Sequence, residues 1–127
     1  MTTNTDRAKA WYETLNPEML ADNIEWKLAD GFPADGTFHG REEIFGVWWP
    51  KLAAQFSDWH ASPSEFIDAG DAVVVTGQYS GVAKATGKTF EAPFTHIWWF
   101  NEDGQIVRMN HSANTLTLHN AITADAA

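Results

Sequence analysis

The chain has 127 residues, of which 44% are hydrophobic and 13% aromatic, with seven Trp and eight Phe. This length suits one domain with a core, and so much aromatic volume has to face a core, a pocket or an interface. Eight Lys and Arg against 17 Asp and Glu give a formal charge of -9, which repels nucleic acid and anionic membranes. There is no Cys for a disulfide or thiolate site, and no apolar run long enough to span a bilayer. We therefore expect one cytoplasmic domain over residues 1–127 that binds neither nucleic acid nor membrane.

The first 28 residues carry the patterns of two helices and one strand. An apolar stripe with the i, i+3, i+4, i+7 spacing of an amphipathic helix is formed by Ala8, Trp11, Tyr12 and Leu15. Asn16 suits an N-cap and Pro17 a first helical residue, which predicts a short second helix over residues 17–23. A half-buried strand ending near Asp30 is then predicted by the alternating apolar residues Ile24, Trp26 and Leu28.

A loop and the longest predicted helix follow. Residues 30–40 contain three Gly and one Pro, a density typical of a structured loop. Over residues 41–56 a wide apolar stripe suits a helix buried under a sheet; it consists of Ile44, Phe45, Trp48, Trp49, Leu52, Ala53 and Phe56. Because Pro50 lacks the N–H of a helical hydrogen bond, we expect a kink or two abutting helices at Trp49.

The second half of the chain is rich in β-branched and aromatic residues. Turn signals divide it into four predicted strands, at about 58–68, 72–85, 88–100 and 105–117, joined as an antiparallel meander. The small and polar tail, residues 119–127, is expected to fray. Helices followed by strands too long to lie flat predict an α+β fold. Such a sheet has to curl, with the three helices packed on one of its faces.

The element order and two motifs resemble the nuclear transport factor two-like superfamily, in its ketosteroid isomerase-related and SnoaL-like branch. FHGREEIFGVWW is similar to the family's glycine, charged turn and Ile-containing helix, and HIWWFNEDGQIVRMNH to its aromatic strand, Asn-x-x-Gly turn and return strand. The resemblance covers residues 8–118 and implies a cone-shaped fold, in which a strongly curved antiparallel sheet wraps around three N-terminal helices and encloses an apolar pocket. It also implies that this pocket binds a small apolar molecule without a cofactor. Enzymes, binding proteins and transport adaptors share this fold, so the fold alone does not select a function.

The resemblance implies two catalytic candidates. Asp30 lies near the place of the isomerases' proton-shuttling aspartate, where an apolar pocket would raise its basicity; the alternative is that it only begins an Asp-Gly turn. His96 takes the place of the acid that hydrogen-bonds the substrate oxygen, and imidazole can donate to a developing oxyanion or exchange a proton with Asp30. The alternative for His96 is a hydrogen-bonded core residue.

Strand alternation and the resemblance together predict the pocket lining. Phe94 and Trp98 share the face of His96 on one strand, and Met109 and His111 share a face of the next, which brings the two histidines within reach. The expected ligand-binding set is Tyr12, Trp26, Trp48, Phe94, Trp98, Met109 and His111. Tyr12 resembles, in position, the isomerases' second oxyanion donor; a packing role is its alternative, with its neighbour Trp11 then facing the pocket. No His-x-His or His-x-x-x-His spacing occurs, so no metal is expected.

Two functions remain open. One is an isomerase or cyclase that moves a proton next to a carbonyl group, with Asp30 and His96 as its acid–base pair. The other is a non-catalytic ligand-binding or protein-interaction domain. Asn114 counts against a cyclase mechanism, since many SnoaL-like members carry an Asp near this position and an Asn cannot act as a base.

Paired tryptophans also predict a partner. Trp48-Trp49 and Trp98-Trp99 place aromatic rings on two faces of their elements, more than one pocket can cover. We therefore expect a homodimer through the outer sheet face, with interface residues Val74, Thr76, Ile97 and Trp99.

Overall fold

A curved sheet of six strands forms the frame of the structure, a computed structural model that describes residues 2–124. The strands are Leu20–Leu28 (β1), Gly36–His39 (β2), Phe56–Asp68 (β3), Ala72–Ala83 (β4), Thr89–Phe100 (β5) and Ile106–Ala113 (β6). Their order is β2-β1-β6-β5-β4-β3, and the neighbouring pairs are antiparallel except β1 with β6, which is parallel. The predicted α+β class and curved sheet are confirmed, and β1 and β2 extend the predicted four-strand meander.

Bulges and a close approach of the backbones occur where β3 pairs with β4. Register shifts interrupt β3 on both sides of residues 60–63. In the facing strand, a Cβ added to Gly77 would lie 2.3 Å from the Ser62 carbonyl oxygen, and one added to Gly81 would lie 3.0 Å from that of Ser57. Bulges bend a strand, and glycine lets the partner backbone approach closely. The two long strands therefore curl, and we call the concave side, which carries the helices, the inner face.

Two helical segments before β3 cover this inner face. The first, α1, spans Asn4–Thr14 and begins with a capping box between Thr3 and Asp6. The second consists of α2 (Gly40–Glu43), a π-helical turn (Ile44–Trp48) and α3 (Trp49–Ala53); we call residues 40–53 the broken helix. The Trp49 N–H donates to the Ile44 carbonyl, five residues back, so a widened turn interrupts the helix directly before Trp49, where a kink or two abutting helices were expected.

Four predicted elements differ from the structure, and one of them is the loop 30–40, which contains the strand β2. The predicted helix 17–23 is wrong: a single 3-10 turn, Pro17–Met19, is followed directly by β1, because Leu20 is already paired with Ile106 of β6. The last strand ends at Ala113 and not at 117. Residues Thr115–Ile122 form a helix, α4, where a frayed tail was expected for residues 119–122; residues 125–127 lie outside the described part.

The convex side of the sheet, which we call the outer face, carries the residues predicted for a dimer interface. Val74, Thr76, Ile97 and Trp99 alternate with buried residues and are half-buried. The guanidinium of Arg108 lies 4.2 Å from the centre of a Trp99 ring and covers part of it. Within residues 2–124, no helix is long and apolar enough to cross a membrane.

Candidate ligand-binding site

An aromatic cavity of about 60 Å³, which we call the inner cavity, lies between α1, the broken helix and the inner face of the sheet. Six of the seven Trp line it, and Tyr12, Tyr79 and His96 are its other aromatic or polar residues. Its aliphatic lining consists of Leu15, Leu28, Leu52, Ala61 and Met109. None of the described residues that line it is an Asp, Glu, Lys or Arg.

A larger opening, the outer cleft, adjoins the inner cavity. The cleft has a volume of about 430 Å³ and shares six lining residues with the cavity: Tyr12, Leu15, Trp49, Leu52, Trp59 and Ala61. The shared residues come from α1, the broken helix and β3, so these three elements form the boundary between the two spaces. Tyr12 therefore borders both spaces.

Tyr12, His96 and Tyr79 form the polar centre of the cavity, which we call the polar chain. The Nδ1 atom of His96 lies 2.5 Å from the Tyr12 hydroxyl, and its Nε2 atom lies 2.5 Å from the Tyr79 hydroxyl. Trp98 Nε1–H also donates to the Tyr12 oxygen at 2.9 Å. The ring of Phe94, which does not line the cavity, stacks on the His96 ring with 4.1 Å between the ring centres. The orientation of the imidazole is thus fixed at both nitrogens.

The number of hydrogens in the polar chain favours one arrangement of its protons. A neutral imidazole carries one N–H, so it accepts at one nitrogen and donates at the other. Tyr79 is 5% exposed and its hydroxyl has His96 as its partner, so the Tyr79 O–H donates to Nε2. Nδ1–H then donates to the Tyr12 oxygen. The hydrogen of Tyr12 itself is left free to point at the cavity.

Burial keeps every member of the polar chain neutral. It lowers the pKa of His96 well below the ordinary value, and the nearby His111 lowers it further. Burial also raises the pKa of both tyrosines, an effect that the Trp98 hydrogen bond opposes at Tyr12. Tyr12 therefore remains a hydrogen-bond donor, and His96 remains an uncharged relay, across the physiological pH range.

His111 lies behind the polar chain, on the strand next to His96. The two residues are paired across β5 and β6, with ring centres 5.6 Å apart. The Ala29 N–H donates to Nδ1 of His111 at 3.3 Å, so the proton of the neutral ring is on Nε2, which has no partner within residues 2–124. Burial lowers the pKa of His111 to about 4. The predicted proximity of the two histidines is therefore present, between two neutral rings.

The structure brings together five of the seven predicted ligand-binding residues. The inner cavity is lined by Tyr12, Trp26, Trp48, Trp98 and Met109, together with His96. Phe94 and His111 are buried but lie behind the lining, where Phe94 packs on His96 and His111 packs on Phe32. Trp48 is held in place by its Nε1–H, which donates to the Ala34 carbonyl at 2.9 Å.

Asp30 does not lie in the apolar pocket, and that expectation is wrong. The Phe32 N–H donates to the Ala29 carbonyl and closes a turn, in which Asp30 and Gly31 are the two central residues and Gly31 has φ +88°. Asp30 is exposed and does not line the inner cavity with His96. The alternative reading, an Asp-Gly turn, describes this residue.

Some residues of the site were not predicted. Tyr79 is the most important, and the signal for it was available: alternation along β4 places it on the face of the buried Val73 and Val75, opposite the proposed outer residues. Trp49 and Trp59 were also missed as lining residues. Asn114 is the N-cap of α4, where its side chain accepts from the Thr117 N–H at 3.1 Å.

The described residues offer no metal centre. Among residues 2–124, no three His, Asp or Glu side chains are close enough together to hold an ion. The cavity lining offers one imidazole with both nitrogens already engaged.

Known proteins with the same fold cover almost the whole chain. An NTF2-like protein from Burkholderia thailandensis has a TM-score of 0.88 and 29% identity, over 98% of this chain and 100% of that one. The structure of TerC co-crystallised with polyporic acid has a TM-score of 0.84 and 24% identity, over 95% and 98% of the two chains. A protein described as a SnoaL-like polyketide cyclase from Jannaschia sp. CCS1 has a TM-score of 0.81 and 15% identity, over 97% and 93%. No curated protein matches the sequence significantly.

The curved sheet, its covering helices and the aromatic cavity define an NTF2-like α+β domain. The SnoaL-like domain model matches residues 6–109, most of the chain. The protein belongs to the SnoaL-like domain family.

Proposed function

We propose that this protein binds a small apolar molecule through one oxygen atom, to which the Tyr12 hydroxyl donates a hydrogen bond in the inner cavity. The polar chain is the observation that carries the proposal, because His96 lies between the hydroxyls of Tyr12 and Tyr79. The free hydrogen of Tyr12 borders a cavity that is otherwise mainly aromatic. A carbonyl or phenol oxygen suits this donor, since the remainder of such a ligand can contact aromatic rings.

A hydrogen bond to a carbonyl oxygen also activates that carbonyl. It stabilises the enolate that forms when the adjacent carbon loses a proton. It also makes the carbonyl carbon more reactive toward a nucleophile. The Tyr12 oxygen accepts from Trp98 and from His96, which polarises its own O–H and strengthens it as a donor. We propose cofactor-free carbonyl activation, of the isomerase or cyclase type, as the reaction class. The cyclase description of the Jannaschia protein and the co-crystallisation of TerC with polyporic acid support a small-molecule role.

The weak basicity of the cavity favours a second candidate, a non-catalytic ligand-binding or protein-interaction domain. Burial lowers the pKa of both His96 and His111, and no described carboxylate lines the inner cavity. Asp30 lies in an exposed turn. An enzyme of the first kind would thus depend on a base carried by the substrate or supplied by water, whereas a binding domain needs none.

Acetophenone, a small aromatic ketone, tests both candidates. Its affinity is measured by calorimetric titration, and exchange of its methyl hydrogens in D₂O is followed by NMR. We expect wild type to bind acetophenone and Tyr12→Phe to bind it about tenfold more weakly, as loss of one hydrogen bond predicts. Asp30→Asn is the matched control, and we expect it to bind as wild type does.

The outcomes separate the two candidates. If wild type accelerates the exchange of the methyl hydrogens and Tyr12→Phe does not, the result supports carbonyl activation. Binding that depends on Tyr12 without faster exchange supports the non-catalytic domain. Absence of binding, or equal binding by wild type and Tyr12→Phe, refutes the proposed role of Tyr12.

A further inference from the structure

Trp26 carries a buried hydrogen-bond donor with no partner at the inner cavity. The residue is 3% exposed, and its Nε1 atom has no acceptor among the described residues. Two other buried Trp of the same lining are satisfied: Trp48 Nε1–H donates to Ala34, and Trp98 Nε1–H donates to Tyr12. Native structures rarely leave a buried donor without an acceptor, so the unpartnered N–H points to a ligand atom.

The surroundings of Trp26 leave the cavity as the place for that acceptor. The rings of Trp11, Trp48 and Trp98 pack around the indole, with ring centres 6.1, 5.3 and 5.7 Å away. These neighbours are aromatic rings, and the C–H edges and faces of such rings are at best weak hydrogen-bond acceptors. Trp26 lines the same inner cavity as Tyr12, whose O–H is also unassigned. Both unassigned groups are donors, so an acceptor on the ligand would satisfy both.

The size of the inner cavity limits the part of a ligand that can enter. Its volume is about 60 Å³. A water-sized atom needs roughly 10–15 Å³ on this measure, so the cavity holds about four to six non-hydrogen atoms. The outer cleft, at about 430 Å³, has room for a much larger body. A ligand that fits both spaces has a small head and a bulkier apolar remainder.

The charge of the head follows from the lining. No charged side chain of the described residues lines the inner cavity, and a charged head would lose its hydration without gaining an ionic partner. We propose that the inner cavity binds a neutral head of a few atoms that carries a hydrogen-bond acceptor, such as an acetyl group. In this arrangement the Trp26 Nε1–H is the second donor beside the Tyr12 hydroxyl, and the ligand body lies in the outer cleft. This inference rests on the proposed function of Tyr12.

Three ligands with the same phenyl body test the head group. Acetophenone has a carbonyl head, isopropenylbenzene replaces the C=O by C=CH₂ at nearly equal shape, and phenyltrimethylammonium has a cationic head. We expect acetophenone to bind at least about tenfold more tightly than isopropenylbenzene, because two donors lose their acceptor in the hydrocarbon. Tightest binding of phenyltrimethylammonium would instead identify the tryptophans as a cage for a cation and overturn the inference.

Trp26 itself is followed through its indole N–H. The chain has seven Trp, so an ¹⁵N-labelled sample shows the Trp26 resonance among at most seven indole signals, assigned on wild type by triple-resonance spectra. We expect acetophenone to move this resonance downfield and isopropenylbenzene to leave it nearly in place. Trp26→Phe should reduce the preference for acetophenone over isopropenylbenzene about fivefold. Trp99→Phe removes an indole N–H from the outer face, outside the lining of the inner cavity, and should keep that preference.

The results distinguish this inference from the proposed function. If acetophenone binding depends on Tyr12 but leaves the Trp26 resonance unmoved, the role of Trp26 is overturned and that of Tyr12 stands. If none of the three ligands binds, both are overturned. The wild-type spectra and affinities decide the question even if Trp26→Phe does not fold.

Discussion

Mild acid should destabilise this protein, because two buried histidines are neutral in the folded state. Burial lowers the pKa of His111 from 6.5 to about 4, so the unfolded chain binds more protons than the folded chain between these values. Stability is therefore complete above about pH 6.5 and falls as the pH drops toward 4. One group of this kind changes the free energy of unfolding by at most about 1.4 kcal/mol per pH unit, a slope reached only below pH 6.5, so the change between pH 7 and pH 5 is roughly 2 kcal/mol. His96, whose pKa is also lowered, adds a loss of the same sign.

Urea unfolding followed by Trp fluorescence, at several pH values between about 5 and 7, measures this slope. His111→Phe removes the titrating group while filling its place beside Phe32 and Tyr79. Losing the acceptor of the Ala29 N–H costs about 1–3 kcal/mol at every pH, so it lowers the whole curve without changing its slope. Over this pH range the mean slope should decrease by about 1 kcal/mol per pH unit. His60→Gln, at an exposed position, should keep the wild-type slope. Equal slopes for wild type and His111→Phe would refute a neutral, buried His111.

Two further predictions concern the sheet. Gly77→Ala should lower the free energy of unfolding by at least about 2 kcal/mol in urea titrations, because its Cβ would lie 2.3 Å from the Ser62 carbonyl oxygen. Gly46→Ala has open space around its Cβ and should raise stability by up to about 1 kcal/mol; a similar loss in both variants would contradict the close approach of β3 and β4. We still propose a homodimer through the outer face, so light scattering should give twice the chain mass for wild type and the single mass for Trp99→Glu. A monomeric wild type would rule the dimer out.

The inner face of the central strands could be predicted from the sequence alone. Phe94, His96 and Trp98 occur at alternate positions of an uninterrupted strand, and β5 pairs with β4 and β6 in regular register over this stretch. A strand with both neighbours in place keeps the alternation of its side chains. The same rule places Tyr79 on the inner face, but its contact with His96 follows only from the alignment of β4 with β5, in which Tyr79 pairs with Ala92. The partner of His96 therefore depended on register and not on local pattern.

Elements whose conformation depends on distant partners were less predictable. Residues 17–23 have good helix-start signals, yet Leu20 and Trp26 are paired with β6, which is more than 80 residues away. Asp30 lies two residues beyond the end of β1, where the alternation of the strand no longer fixes the direction of a side chain. The glycine that follows it adopts φ +88° and places the pair at the tip of a turn. Proximity in sequence to a pocket strand was thus insufficient to place the carboxylate in the pocket.

Folding does not require the polar atoms of the polar chain. Phenylalanine at positions 12, 79 and 96 would satisfy an aromatic core without any buried polar atom, and Phe94 already packs against this cluster. Networks of buried polar groups gain little net stability, since each group first loses its hydration. This network also leaves an unassigned hydrogen on Tyr12 next to a cavity, which a packing role does not explain. A binding role explains this hydrogen, because a fixed, neutral and polarised donor in an apolar space recognises one oxygen of a ligand. Such a donor discriminates against a molecule of the same shape that lacks this oxygen.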